Sequence, residues 1–77
     1  MPRFYFDVRD QDGLVRDDAG IELSSLDVAV SEARRALRNM AIDTLPGPID
    51  LRLQVEIRDH PDGPALMTVT FGSTWSH

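Results

Sequence analysis

The stretch LDVAVSEARRALRNMA, residues 26–41, decides the fold class, because its apolar and small side chains recur with the three-and-four spacing of one buried helix face. The positions of this stripe are Leu26, Ala29, Val30, Ala33, Ala36, Leu37, Met40 and Ala41. Ser24-Ser25 can cap the free amides of the first turn, and Asp27 lies near the positive end of the helix dipole. Pro46-Gly47-Pro48 cannot continue a helix, so we predict that the helix ends by about Leu45.

The segments on both sides of this helix alternate apolar and polar residues with a period of two, which is the pattern of half-buried strands. Two strands are predicted before the helix, at residues 3–9 and 14–17, and Ile21 and Leu23 bring further apolar side chains to the same side. Two more strands are predicted after the helix. They cover residues 51–58 and residues 66–71.

The element order ββαββ predicts an α+β two-layer sandwich, because one helix can cover only one face of a sheet. We expect a four-stranded antiparallel sheet with the helix on one face, in a single domain of residues 1–77 that closes with a polar tail at residues 72–77. Two strand orders, 2-1-3-4 and 1-2-4-3, keep all neighbours antiparallel. We prefer the first.

The length of the chain limits its core. A chain of 77 residues cannot divide its apolar residues between two cores, and below about 80 residues a core rarely contributes more than ~3–5 kcal/mol. The absence of cysteine excludes disulfides and thiolate metal sites. Association, either as a homodimer or with a different protein, is therefore the expected source of additional stability.

The charge balance indicates which partners to expect. The chain has 13 acidic residues against 8 basic ones, and its net charge of -5 opposes general attraction to nucleic-acid backbones. The N-terminal segment has no apolar run typical of a signal peptide, and no stretch approaches the ~20 apolar residues of a membrane span. We therefore expect a cytoplasmic protein that does not contact a membrane.

Asp10, Asp12 and Gly13 resemble the beginning of a calcium-binding loop. Leu14 and Val15 then interrupt the alternating oxygen ligands that such a loop requires, and its bidentate glutamate is missing. Aspartate at the first turn position and glycine at the last are preferred in a type I turn. We interpret the segment as a turn between strands.

The second acidic turn, residues 59–64, contains the only histidine outside the C-terminal tail, His60. A helix of about 18 residues with a rise of ~1.5 Å per residue would place this turn roughly 25 Å from the first one. Asp18-Ala19-Gly20 is predicted to bend the chain once more. Neither His60 nor His77 has a plausible base or nucleophile partner, so we predict no catalytic, cofactor-binding or metal-binding residue, no small-molecule substrate and no enzymatic activity.

The sheet face without a helix is predicted to carry mixed charges that pair across strands in solvent. Its residues are Arg3, Tyr5, Asp7, Arg9, Arg52, Gln54, Glu56, Arg58, Thr68 and Thr70. Under the alternative interpretation, RNA or another single-stranded nucleic acid lies across the aromatic and basic side chains of this face. That site would consist of Arg3, Tyr5, Arg9, Arg52 and Arg58.

Two other features are candidate contact surfaces. Arg34, Arg35 and Arg38 form a basic ridge on the helix, which is either an ordinary solvated face or a surface for an acidic partner. Trp75, the only tryptophan, either folds back over an edge of the core or anchors a neighbouring subunit.

The opening MPRFYFDV, the Asp-Gly turn that follows, the stretch at residues 16–23 and the alanine- and arginine-rich helix together resemble a family of short bacterial domains of unknown function, of the 6894 type. The resemblance covers nearly the whole chain and is most specific in the first 23 residues. Asp62-Gly63 matches the turn of the family's closing hairpin. The resemblance implies no activity, ligand or catalytic residue.

A looser resemblance is to the antitoxin half of HicAB toxin–antitoxin pairs, in which an acidic strand–strand–helix domain covers a basic toxin. The net charge of -5 suits that role. Those domains usually have another strand before the helix and often a DNA-binding extension, which this sequence does not show. Taken together, the patterns predict a small binding protein that self-associates or acts through a protein partner, with nucleic-acid binding and antitoxin-like binding as alternatives.

Overall fold

A computed structural model describes residues 1–43 and 51–73 of the chain. Its elements, in chain order, are β1 (Arg3–Asp10), β2 (Gly13–Val15), β3 (Ile21–Glu22), α1 (Leu26–Asp43), β4 (Leu51–Arg58) and β5 (Met67–Ser73). The predictions made for residues 44–50 and 74–77 lie outside the described residues. They concern Leu45, Pro46-Gly47-Pro48, Trp75 and His77.

The sheet has the order β2-β1-β4-β5, and every neighbouring pair is antiparallel. Helix α1 packs against β4 and β5 on one face. The α+β fold with one helix over an antiparallel sheet is confirmed, and so is the preferred strand order 2-1-3-4 for the four predicted strands. The short strand β3 is an addition, because Ile21 and Glu22 pair with Phe4 and Arg3 on the same edge of β1 that β2 uses.

Helix α1 begins where the sequence predicts. The Val28 amide donates to Ser25 Oγ at 3.3 Å, and the Ala29 amide donates to the Ser25 carbonyl oxygen at 3.1 Å, so Ser25 is the capping residue. The helix buries Ala29, Ala33, Leu37 and Ala41. Ala36 was predicted on the buried stripe but is exposed, because the helix is displaced towards β4 and β5. No helix in the described ranges combines the length and apolarity that crossing a bilayer requires.

The core lies between this helix and the inner face of the central strands. Phe4 on β1 and Leu53, Val55 and Ile57 on β4 pack against the alanine-rich face of the helix. The largest side chains that are fully buried are Ile57 and Val55. The core is therefore thin, as expected from the length of the chain.

The edge of β1 is interrupted by a five-residue bulge, which we call the bulge segment (residues 16–20). Val8 pairs with Val15 and Phe4 pairs with Ile21, so five residues of the edge lie opposite the three residues 5–7 of β1. Gly20 closes the bulge with a φ of 71°, a conformation that favours glycine. The predicted bend at residues 18–20 is confirmed.

The prediction of an open, solvated sheet face is wrong at one end. The solvent-accessible fractions of Tyr5, Asp7 and Arg58 are only 7%, 3% and 3%. The bulge segment and the turn after β4 fold over these side chains, because a backbone carbonyl of each accepts a hydrogen bond from the Arg58 guanidinium. The rest of that face is accessible around Arg9 and Arg52.

Candidate interaction surfaces

Arg58 is the centre of a buried cluster with Asp7 and the bulge segment. Its Nε donates to Asp7 Oδ2 at 2.8 Å and its Nη2 donates to Asp7 Oδ1 at 3.0 Å, in a bidentate ion pair. Nη2 also donates to the Asp17 carbonyl at 2.9 Å, and Nη1 donates to the carbonyls of His60, at 3.0 Å, and Pro61. A guanidinium group has five N–H donors, and these five contacts satisfy all of them.

The Asp17 carboxylate holds the bulge segment in place. Its Oδ1 accepts from the amides of Ala19, at 3.0 Å, and Gly20, at 3.1 Å, and its Oδ2 accepts from the Phe6 amide at 3.1 Å. The Asp17 amide in turn donates to Asp7 Oδ1 at 2.9 Å. This one side chain therefore replaces the strand hydrogen bonds that the bulge removes.

The cluster shifts the pKa of all three side chains. Burial by itself raises the pKa of the Asp7 carboxyl, but hydrogen bonds from Arg58 and from the Asp17 amide, together with nearby positive charge, bring it below its ordinary value. Burial also raises the pKa of Asp17, and the three amides that it accepts bring that pKa below its ordinary value. The hydrogen bond to Asp7 raises the pKa of Arg58. The folded state therefore favours the charged form of each group.

Acid is expected to destabilise the domain through Asp7 and Asp17. Both carboxyls have a folded-state pKa below the ordinary value of 3.8. Their contribution to stability is therefore complete above that value and is lost as the pH falls through the folded-state pKa. We expect the free energy of unfolding, measured by urea titration, to decline steeply below about pH 4.

Two variants test this assignment. Asp17→Asn should lower the stability at neutral pH and make the acid decline shallower, because the variant has one carboxyl fewer to protonate. Asp12→Asn removes an exposed carboxyl from the first turn and should keep the decline of the unmodified chain. If Asp17→Asn retains the full decline, the assignment to the buried cluster is wrong.

The buried cluster changes the interpretation of the predicted nucleic-acid site. Tyr5 lies beneath the Arg58 guanidinium, whose central carbon is 5.1 Å from the ring centroid. Both side chains are therefore occupied within the domain and cannot stack on bases. Arg3 is also engaged, because it donates to the Ala19 carbonyl at 2.9 Å and pairs with Glu22 at 3.4 Å. Of the predicted set, Arg9 and Arg52 remain accessible, and both line a shallow pocket on the open face.

The first acidic turn is held by its own side chain. Asp10 Oδ1 accepts from the amides of Asp12, at 2.8 Å, and Gly13, at 3.1 Å, the hydrogen bonds expected of aspartate at the start of a turn. The interpretation as a turn is confirmed. Within residues 1–43 and 51–73, no group of three or more histidine, cysteine, aspartate or glutamate residues is placed to hold a metal ion.

The predicted basic ridge on α1 divides into two parts. Arg35 pairs with Glu32, one turn earlier on the helix. Arg34 and Arg38 make no ion pair or hydrogen bond with any residue in the described part of the chain. These two arginines flank a groove beside β5, with a volume of about 210 Å³, whose lining includes Leu37, Val69 and Phe71.

A second groove, called the apolar groove below, lies between α1 and the edge that β2 and β3 form. Its volume is about 280 Å³, and it is lined by Phe6, Val8, Ile21, Glu32, Ala36 and Val55. It exists because the helix is displaced towards β4 and β5. Val15 and Ile21 lie on the helix side of the sheet, since they pair with Val8 and Phe4. Their solvent-accessible fractions are 72% and 50%.

The sequence patterns did not reveal Asp7, Asp17 and Arg58 as one cluster, nor Val15 and Ile21 as part of a surface. One pattern in the sequence does correspond to the bulge. The three charged residues Arg16-Asp17-Asp18 interrupt the apolar residues of the edge between Val15 and Ile21. The fold and these surfaces together define a small α+β domain in which one helix covers part of one face of an antiparallel sheet.

The chain belongs to the family described as Domain of unknown function (DUF6894), whose model matches residues 3–72. This match confirms the predicted resemblance, which covered nearly the whole chain. No curated protein and no solved structure shows a significant match to the chain.

Proposed function

We propose that this domain is a protein-interaction module that acts as a homodimer, with the apolar groove as its contact surface. The observation that carries the proposal is that the groove and two projecting apolar side chains, Val15 and Ile21, lie side by side on one copy. Exposed apolar surface of this kind commonly marks a protein contact.

A second copy is the favoured occupant because the surface is complementary to itself. In a twofold arrangement, Val15 of each copy can enter the groove of the other, so that one patch supplies both the projection and the cavity. Among the described residues that line the groove, the one charged side chain is Glu32, which is already paired with Arg35. The contact would therefore bury no unpaired charge from the groove.

The thin core adds a second physical reason. Burial contributes roughly 25 cal/mol for each Å² of apolar surface removed from water, and this chain has few large side chains inside. Dimerisation would cover Val15 and Ile21 and extend the core across the interface. Many small domains gain stability from oligomerisation in this way.

The alternatives have different support. Single-stranded nucleic-acid binding loses its aromatic platform, because Tyr5 is buried beneath Arg58. Antitoxin-like binding, in which this acidic domain covers a basic protein, shares the principle of a protein contact with our proposal. A hetero-complex in place of a homodimer would favour that alternative.

The test introduces a carboxylate into the proposed interface. Val15→Asp should raise the dimer dissociation constant about 100-fold, because an unpaired charge in an apolar contact is strongly unfavourable. Sedimentation equilibrium over a range of concentrations measures this constant. The edge position of Val15 and its high exposure make the substitution compatible with the folded monomer.

The matched control is Leu14→Asp, at the neighbouring position. Leu14 pairs with Arg9 and therefore faces the opposite side of the sheet, with 44% exposure. This variant should dimerise as the unmodified chain does. A monomeric unmodified chain, or equal effects of the two substitutions, would rule out the groove as a dimer contact.

A further inference from the structure

Strand β5 forms an outer edge of the sheet that lacks the usual protection against strand addition. Its seven residues, MTVTFGS, include no charged residue and no proline. Natural proteins protect free edges with such residues, with bulges or with very short strands. The other edge has three of these protections, namely charged residues, a bulge and very short strands, because the charged bulge segment separates the short strands β2 and β3. Of the two edges formed by the described strands, β5 is therefore the one suited to receive another strand.

The direction of the backbone groups on β5 follows from the hydrogen bonds of β1. The Phe6 amide points away from β4, because it donates to Asp17 on the other side. Hydrogen bonding alternates along antiparallel ladders, and the register pairs Phe6 with Ile57 and Ile57 with Met67. Ile57 and Met67 therefore bond to each other, and the alternate residues of β5 direct their backbone groups outwards. These residues are Thr68, Thr70 and Gly72.

Two arginines that have no ion-pair partner among residues 1–43 and 51–73 lie above this edge. Arg34 and Arg38 lie one helical turn apart on α1 and flank the groove against Val69 and Phe71. Like charges at this spacing repel each other, and neither has a partner among the described residues to offset the repulsion. The chain as a whole has a net charge of -5, so these two arginines form a positive patch on an otherwise acidic protein.

We propose that the β5 edge binds an extended acidic segment of another protein, which adds to the sheet as a strand and places carboxylates against Arg34 and Arg38. The spacing fits this geometry. Four helical residues rise about 6 Å, and two strand residues span roughly 6.6 Å. Aspartate or glutamate at alternate positions of the added strand therefore matches the two guanidinium groups, while Val69 and Phe71 provide an apolar floor.

A second copy of this chain does not fit the same edge. Twofold pairing of β5 with β5 would place the Arg34 and Arg38 pairs of both copies on the same face, opposite each other across the axis. Repulsion between these four charges opposes such a contact. The proposal is also independent of the homodimer, since the apolar groove lies at the opposite edge of the sheet.

The test uses a fluorescein-labelled peptide in which glutamate alternates with valine, and a matched peptide with lysine in place of each glutamate. Fluorescence polarisation with the full chain should show tighter binding of the glutamate peptide. Arg38→Glu should weaken its binding about tenfold, because an attraction becomes a repulsion. Arg35→Glu makes the same change in charge at the residue paired with Glu32 and is expected to alter binding by about twofold or less.

A backbone variant tests strand addition separately from charge. Thr70→Pro removes an outward amide and leaves the hydrogen bonds to β4 in place, so it should abolish peptide binding while circular dichroism and the dimer dissociation constant stay unchanged. Equal affinity for both peptides, equal effects of Arg38→Glu and Arg35→Glu, or unchanged binding by Thr70→Pro would each overturn the proposal. None of these results bears on the homodimer, which sedimentation measures independently.

Discussion

Replacing Arg58 by methionine is expected to remove most of the stability of the domain. The substitution leaves the Asp7 carboxylate buried without its ion-pair partner and deprives three backbone carbonyls, those of Asp17, His60 and Pro61, of a donor. Breaking a buried ion pair from one side costs about 3–5 kcal/mol. A domain of this length has a total free energy of unfolding of roughly 4–12 kcal/mol, so the variant should be largely unfolded in mild urea.

Arg52→Met is the matched control, because Arg52 lies on the same strand and the same face but is exposed. It should change the free energy of unfolding by no more than about 0.5 kcal/mol. Urea titration followed by circular dichroism measures both variants. Similar losses in the two would show that the Arg58 cluster does not stabilise the fold.

Replacing Gly20 by alanine is expected to cause the second largest loss. The residue has a φ of 71°, and a β-carbon there would lie 2.9 Å from side-chain carbons of Arg3 and Tyr5 and 3.0 Å from the Phe4 carbonyl oxygen. The left-handed conformation alone costs a non-glycine residue about 1–2 kcal/mol. The contact with backbone raises the expected total above roughly 2 kcal/mol, because Phe4 belongs to a central strand and cannot move freely.

Gly72→Ala makes the same chemical change on β5, where, apart from the adjoining residues, no atom of the described part of the chain lies within 4 Å of the added β-carbon. We expect this variant to match the unmodified chain within about 0.5 kcal/mol or to be slightly more stable. The thermal midpoints of the two variants provide the comparison. A Gly20→Ala protein as stable as Gly72→Ala would contradict the bulge geometry.

Local patterns were sufficient for the elements and their order. The alternation of apolar and polar residues predicted the inner face of each strand. The spacing of Ala29, Ala33 and Leu37 predicted the buried face of the helix. The cap at Ser25 and the turn at Asp10 were also predictable, because each depends on a side chain that accepts from amides two or three residues away. Short-range interactions of this kind are encoded in neighbouring residues.

The candidate surfaces depended on where the elements lie relative to one another. Ala36 looked like a core residue by spacing, yet it lines the apolar groove because the helix is displaced to one side of the sheet. Arg34 and Arg35 are adjacent in sequence, but within the described ranges only Arg35 has an ion-pair partner. Neither difference follows from periodicity.

By itself, the sequence determined the α+β class, the antiparallel pairing and the places where the chain turns, because these follow from side-chain periodicity and from local hydrogen bonds. It could not distinguish Arg52 from Arg58, which occupy equivalent positions on the same face of β4. Only the tertiary structure made one an exposed cation and the other a buried anchor. The reason is that Asp7 and Asp17 lie 51 and 41 residues from Arg58 in the chain and meet it only once the sheet has formed.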